Sequence, residues 1–200
     1  GPGGRSFAAR ELAPADVLPA DRRYSFMLEP LYFREEQIGF ALFEIGPRDI
    51  DKDAVFVRFS TIPDSPMSPF HATINMRLSL ISRALGRAYL AFCPKEERDV
   101  LVRMLARSND PEDHPDNLPA VVSALVQSIR RRGYATRDPN VEPTSSSTVA
   151  VPIMSEDRVL ATFGLTFFRS AVPPTAIARK VAQPLREAAD QIERSIRLMR

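Results

Sequence analysis

The clearest chemistry in this sequence lies in Arg137, Thr148 and Thr166. An arginine fork holds a carboxylate through two parallel hydrogen bonds. Hydroxyls on flanking strands would orient a bound acid. Spacing alone leaves the ordinary alternative open, an exposed arginine beside a polar loop. No catalytic signature competes: G-x-S-x-G, H-E-x-x-H, P-loop and G-x-G-x-x-G are all missing. Ser145-Ser146-Ser147-Thr148 offers hydroxyls, but no histidine follows to activate one, so it reads as a polar loop. Glu35 and Glu36 are adjacent in a turn, point apart, and read as solvated surface. Cys93, at a helix boundary with no cluster of bases around it, reads as a buried, inert thiol. His71 reads as structural or as a loop hydrogen-bonder. His114, among Glu112, Asp113 and Asp116, reads as solvated. Arg130-Arg131-Arg132 ends a helix before Gly133, where basic side chains suit the dipole; contact with phosphate is the alternative.

The elements that must position these residues follow from hydrophobic periodicity. Residues 1–20 carry Gly, Pro and Ala with little pattern and read as a mobile tail. Tyr24 to Gly46 reads as a hairpin, rich in aromatic and β-branched residues, with a polar turn at Arg34 to Gln37. Ala54 to Phe59 predicts a third strand. Pro63, Pro66 and Pro69 make a loop of Ile62 to Phe70. Next comes an alternating strand, with Ile74, Met76, Leu78 and Leu80 on the buried face and Thr73, Asn75, Arg77 and Ser79 opposite. A short helix capped by Ser82 carries Ala84, Leu85, Ala88, Tyr89 and Phe92. A second helix runs from Glu96 to about Ala106, with Val100, Leu101, Met104 and Leu105 as its stripe. After a polar loop from Ser108 to Asn117, a third runs from Pro119 to Arg132 and buries Val121, Val122, Leu125 and Ile129. Tyr134 to Arg137 reads as a short strand, and Thr148–Met154 with Val159–Phe168 as a second hairpin. A long C-terminal helix starts near Pro174, with Ile177, Val181, Leu185, Ala188, Ile192 and Ile196 on one face and a kink at Pro184. Strands, helices, strands, helix is the order of an α+β fold.

Composition bounds the rest. The 200 residues suit one domain, or one with an appendage. A single cysteine excludes a disulfide framework and multi-cysteine metal sites, and two histidines leave little for zinc. No cofactor is called for. No apolar run approaches the ~18 residues of a membrane span, and no signal pattern opens the chain, which points to the cytoplasm. Basic and acidic residues number 27 and 25, for a net charge of +2, without the basic excess of a dedicated DNA-binding domain.

Several segments together resemble the IclR family of bacterial transcriptional regulators. They are Ser68-Pro69-Phe70-His71-Ala72, Arg83 through Phe92, Pro94-Lys95-Glu96-Glu97-Arg98, Ile129-Arg130-Arg131-Arg132-Gly133-Tyr134-Ala135, Val149-Ala150-Val151-Pro152-Ile153 and Val159-Leu160-Ala161. They follow the family's order from about Asp53 to Ile196, and their wording is nearest to regulators of hydroxyphenylpropionate catabolism. The resemblance implies a GAF-like effector-binding domain, with a central antiparallel sheet, helices on its faces and no catalysis. It implies a small organic or aromatic acid as effector and a homo-oligomer, dimer or tetramer. DNA would be reached only through an N-terminal winged helix-turn-helix, which this sequence lacks. The implied pocket comprises Met76, Leu78 and Leu80; Ala84 and Leu85; Arg137; Ser147 and Thr148; Gly164 and Thr166. Arg137 would take the effector's carboxylate.

The lead departs from that pattern. Residues 21–50 form a hairpin that resembles strands of a different GAF-type sensor and would join the sheet, ahead of a sensor at 51–200. A divergent protein, a truncated reading frame and an engineered chimera all fit this join. Two rival functions stand beside a sensor: a ligand-free dimerisation or scaffold module using the Ile177–Ile196 stripe, and an enzyme using Cys93 or the Ser145–Thr148 cluster.

Overall fold

A computed structural model describes residues 26–33, 36–44, 54–57, 60, 76–113 and 116–198. The chain divides into two compact units, Gly1–Arg48 with Arg58–His71 and Asp49–Val57 with Ala72–Arg200. In the first unit, β1 (Phe26–Phe33) runs antiparallel to β2 (Glu36–Glu44), with Phe26 opposite Glu44 and a register shift at Leu31/Tyr32. This is the hairpin expected from its aromatic content.

In the second unit, β3 (Ala54–Phe56) pairs antiparallel with β4 (Arg77–Ser79), Val55 lying opposite Leu78. Three helices follow: α1 (Ala84–Phe92), α2 (Lys95–Leu105) and α3 (Leu118–Arg132). A three-stranded antiparallel sheet comes next, with β6 (Ser146–Ser155) between β5 (Ala135–Thr136) and β7 (Arg158–Phe168). The chain closes on α4 (Gln183–Leu198). The class is α+β, with antiparallel strands and a long C-terminal helix, as expected. Among the described residues the ladders form three sets rather than one continuous sheet. No helix among them is long and apolar enough to cross a membrane.

Local chemistry explains the helix ends. Glu96 and Glu97 open α2 and Arg103 closes it, each complementing the helix dipole. Gly133 ends α3 at φ +79°, a conformation glycine adopts without strain, and its N–H bonds Ile129 O at 2.8 Å. The arginine run of α3 is used within the fold: Arg130 Nε donates to the Ala91 carbonyl at 2.6 Å, and Arg132 lies 5.3 Å over the Tyr134 ring. Arg98 Nη1 donates to the Cys93 carbonyl at 3.0 Å. The C-terminal end of α1 is thus closed by guanidinium groups from α2 and α3.

Helix α1 buries two faces. Tyr89, Leu90 and Cys93 join Leu80, Ile81, Leu101, Leu105 and Val122 in one apolar cluster. Ala84, Ala88 and Ala91 meet Ile129, Ala135 and Ala150 in a second cluster of mostly small residues. Helix α4 packs on β6 and buries Leu185, Ala189, Ile192 and Ile196, so the stripe considered as a docking face is spent inside the fold. Glu193 accepts the Met154 N–H at 2.8 Å there. Where Pro184 was expected to kink the helix, a π-helical stretch at Ala178–Ala182 leads into α4. Proline lacks an N–H and crowds the carbonyl four residues back, Lys180, and the wider π turn lies there.

The corner between β4 and α1 departs most from the sequence reading. Ser79, expected to face outward, is buried, and so is Asp113, from a loop expected to be solvated. Asp113 accepts hydrogen bonds from Ser79 Oγ at 2.6 Å, Ser108 Oγ at 2.9 Å and Arg77 Nη2 at 3.0 Å. Ser82 does not cap α1; Arg83 holds the N-cap position, and the Ser82 hydroxyl donates to Glu112. Arg83 grips the same carboxylate through Nε at 2.9 Å and Nη2 at 2.5 Å. Arg87 reaches from α1 to the Ile81 carbonyl, the Thr136 carbonyl at 3.0 Å and Asp138 at 2.8 Å.

Two predictions follow from this corner. A Cβ on Gly86 would lie 2.2 Å from Ser79 O and 2.7 Å from Leu80 Cα, both backbone atoms. Gly86→Ala should therefore cost about 3 kcal/mol of unfolding free energy in urea titrations, and a loss below about 1 kcal/mol would refute the close contact. Hydrogen bonds from Arg83, then from Ser82, hold the Glu112 carboxyl below its usual value of 4.5. A carboxyl depressed in the folded state adds stability above its unfolded value, and the gain is lost as pH falls through the folded one. Between about pH 6 and pH 3 the wild-type protein should lose more stability than Glu112→Gln; parallel curves would remove Glu112 from the clamp.

Candidate functional site

Register brings the leading residues together. Thr148 of β6 lies opposite Thr166 of β7, and their hydroxyl oxygens are 2.9 Å apart. The Arg137 N–H donates to Thr148 O at 3.0 Å, continuing the β5–β6 ladder one residue past Thr136. Directly opposed residues share a sheet face, so Arg137, Thr148 and Thr166 form one cross-strand row. The next row on that face is Ala135, Ala150 and Gly164. Its small side chains let α1 approach: a Cβ on Gly164 would lie 3.1 Å from Leu85 Cδ2 and 3.1 Å from Val149 O. Leu85 is therefore seated over the small row, adjoining the polar one, with Ala84 buried behind it.

Arg137 is 7% exposed. Its Nη2 donates to Pro143 O at 2.7 Å, to Ser146 Oγ at 3.1 Å and to Ser146 O. Its Nε is buried with no hydrogen-bond partner. Burial, then the charges of Arg83 and Arg169, push its pKa below the ordinary guanidinium value, and Glu142 opposes them. A buried guanidinium donor without an acceptor is costly, and an entering carboxylate relieves that cost by accepting from it.

Six of the ten expected site residues converge: Ala84, Leu85, Arg137, Thr148, Gly164 and Thr166. The other four go elsewhere. Met76 is 39% exposed rather than part of a buried face, and Leu78 is buried in β4 opposite Val55. Leu80 is core, packed in the cluster with Leu90 and Leu101. Ser147 pairs with Phe167 and, one residue from Thr148, lies on the opposite face of the sheet. Two participants were not among the expected pocket residues. Ser146 shares the face of Thr148 by strand alternation, a signal available in the sequence. Arg169 lies just beyond β7, and its N–H bonds Ser145 O at 3.0 Å.

The alternative nucleophiles are engaged otherwise. Cys93 is fully buried, its thiol lies 3.5 Å from Leu90 O, and burial pushes it up to about 11, as an inert thiol requires. In the hydroxyl cluster, Ser146 bonds Arg137 and Pro143, and Thr148 bonds Thr166. His71 and His114 lie outside the described residues.

No protein-family model matches the chain. Solved structures do resemble it. The inducer-binding domain of a double mutant of the PobR transcription factor from Acinetobacter, in complex with 3-hydroxybenzoic acid, matches with a TM-score of 0.55 and 18% identity, over 72% of this chain and 83% of that one. The Thermotoga maritima IclR matches with a TM-score of 0.53 and 24% identity, over 64% of this chain and 51% of that one. An IclR-family transcriptional regulator from Brucella abortus matches with a TM-score of 0.51 and 21% identity, over 64% of this chain and 47% of that one. The chain spans about half the length of these two regulators. Over about two thirds of its length the chain shares the fold of IclR-family transcriptional regulators.

Proposed function

We propose that this chain is the ligand-sensing domain of an IclR-type transcriptional regulator, with residues 51–200 as the sensor and 21–50 a hairpin of foreign or divergent origin. Its ligand is a small carboxylic acid, aromatic in character, bound on the Arg137–Thr148–Thr166 row. The observation that carries this reading is the buried, unpartnered Nε of Arg137, a residue that shares its cross-strand row with Thr148 and Thr166. A carboxylate would accept from Nε and from the one threonine O–H that is not donated within the pair, while Leu85 and the small row offer an apolar surface to a ring. The resemblance to an inducer-binding domain in complex with 3-hydroxybenzoic acid supports the same class of ligand. The sensor would act in the cytoplasm as a homo-oligomer, dimer or tetramer, coupled to a separate DNA-binding domain. No catalytic step belongs to this reading.

Binding shifts a conformational or oligomeric equilibrium by no more than the ligand's differential affinity for the two states. The burial of the α4 stripe against β6 disfavours the rival reading of a module that docks through it.

Thermal unfolding at pH 7 against phenylpropionate, cinnamate, benzoate and short 2-oxo acids tests the proposal. An acid at 100 times its Kd should add ~2.7 kcal/mol of stability. Arg137→Ala should weaken that acid by about 100-fold, and Thr148→Val by about fivefold, in calorimetric titrations. No shift with any acid, or unchanged affinity in Arg137→Ala, would reject the reading.

A further inference from the structure

A second cation stands beside Arg137. Arg169 donates Nε to the Ser146 carbonyl at 3.2 Å and Nη2 to the Pro139 carbonyl at 3.2 Å. Arg137 donates Nη2 to that same Ser146 carbonyl. One backbone oxygen thus gathers two guanidinium groups. Among the described residues, neither forms an ion pair, whereas Arg77, Arg83 and Arg87 each end on a carboxylate: Asp110 with Asp113, Glu112 and Asp138. Glu142 is exposed and accepts the Thr144 N–H at 2.9 Å. The two cations differ in depth, Arg137 being buried and Arg169 exposed.

We propose that the ligand of this site is a dicarboxylic acid, with one carboxylate held by Arg137 beside Thr148 and Thr166 and the second held by Arg169 at the rim. This deepens the carboxylate reading and rests on it. A monoacid neutralises one of two adjacent positive charges and leaves the other facing the remaining half of the site. A dianion compensates both, and each carboxylate gains charge-assisted hydrogen bonds. Because both guanidinium groups reach one carbonyl oxygen, the acid's carboxylates must be joined by a short chain or a single ring.

The test is calorimetric titration of the wild-type chain with matched acids: benzoate against isophthalate, 2-oxobutyrate against 2-oxoglutarate, and phenylpropionate against its ring-carboxylated form. At least one diacid should bind about tenfold or more tightly than its monoacid. That gap should close in Arg169→Gln and persist largely in Arg169→Lys, which keeps the charge. Added salt should weaken the diacid more than the monoacid. Monoacids that bind through Arg137 as well as their diacids do would overturn the dicarboxylate proposal and leave the carboxylate reading intact. A gap that survives in Arg169→Gln would overturn it too. Failure of every acid to bind would overturn both.

Discussion

The burial of Asp113 is the constraint on which the rest depends. A carboxylate with no exposed surface is costly unless its lone pairs are occupied, and here Ser79, Ser108 and Arg77 occupy them. Those donors come from β4 and from the loop after α2, so satisfying one charge fixes two separate stretches of chain. Ser79 also accepts the N–H of Ile81 at 3.1 Å and of Ser82 at 3.3 Å. The turn out of β4 is thereby set, and with it the direction in which α1 starts. Helix α1 then lands where Ala135, Ala150 and Gly164 leave room, and Leu85 comes to rest beside the threonine pair.

Arginine does two jobs in this architecture. Arg98 and Arg130 serve as backbone caps, closing carbonyl groups at the end of a helix too short to hide them. Arg77, Arg83 and Arg87 join carboxylates to backbone corners. An arginine fork suits both tasks because its donors are rigid and always charged. Arg137 and Arg169 likewise donate to backbone carbonyl groups, and both reach the one on Ser146.

Much of the fold was legible because short-range periodicity governs it. Both hairpins, the three helices and the C-terminal helix are visible in apolar spacing, and Gly133 and Pro94 mark their ends. The pairing of Arg137 with Thr148 and Thr166 was also within reach, since strand alternation and hairpin closure decide it. The departures have separate physical origins. Ser79, Glu112 and Asp113 look solvated because their partners lie about 30 or more positions away in sequence. Alternation placed Leu80 on a buried face, and the chain turns there and sends it into the helical core; only the family resemblance implied it for the pocket. Ser147 fell to parity: a shift of one residue changes the face of a sheet.

Arg87 ties this corner to the sheet. Its guanidinium joins the turn before α1, through Ile81, to β5 and its exit, through Thr136 and Asp138. The Asp138 N–H returns to the Ser82 carbonyl at 2.8 Å. Arg137 sits between Thr136 and Asp138, flanked on both sides by residues bolted to α1. The strand end that carries Arg137 and the helix that carries Leu85 are thereby joined through one guanidinium, that of Arg87. A shift of the backbone at Arg137 must break the Arg87 contacts or carry the start of α1 with it.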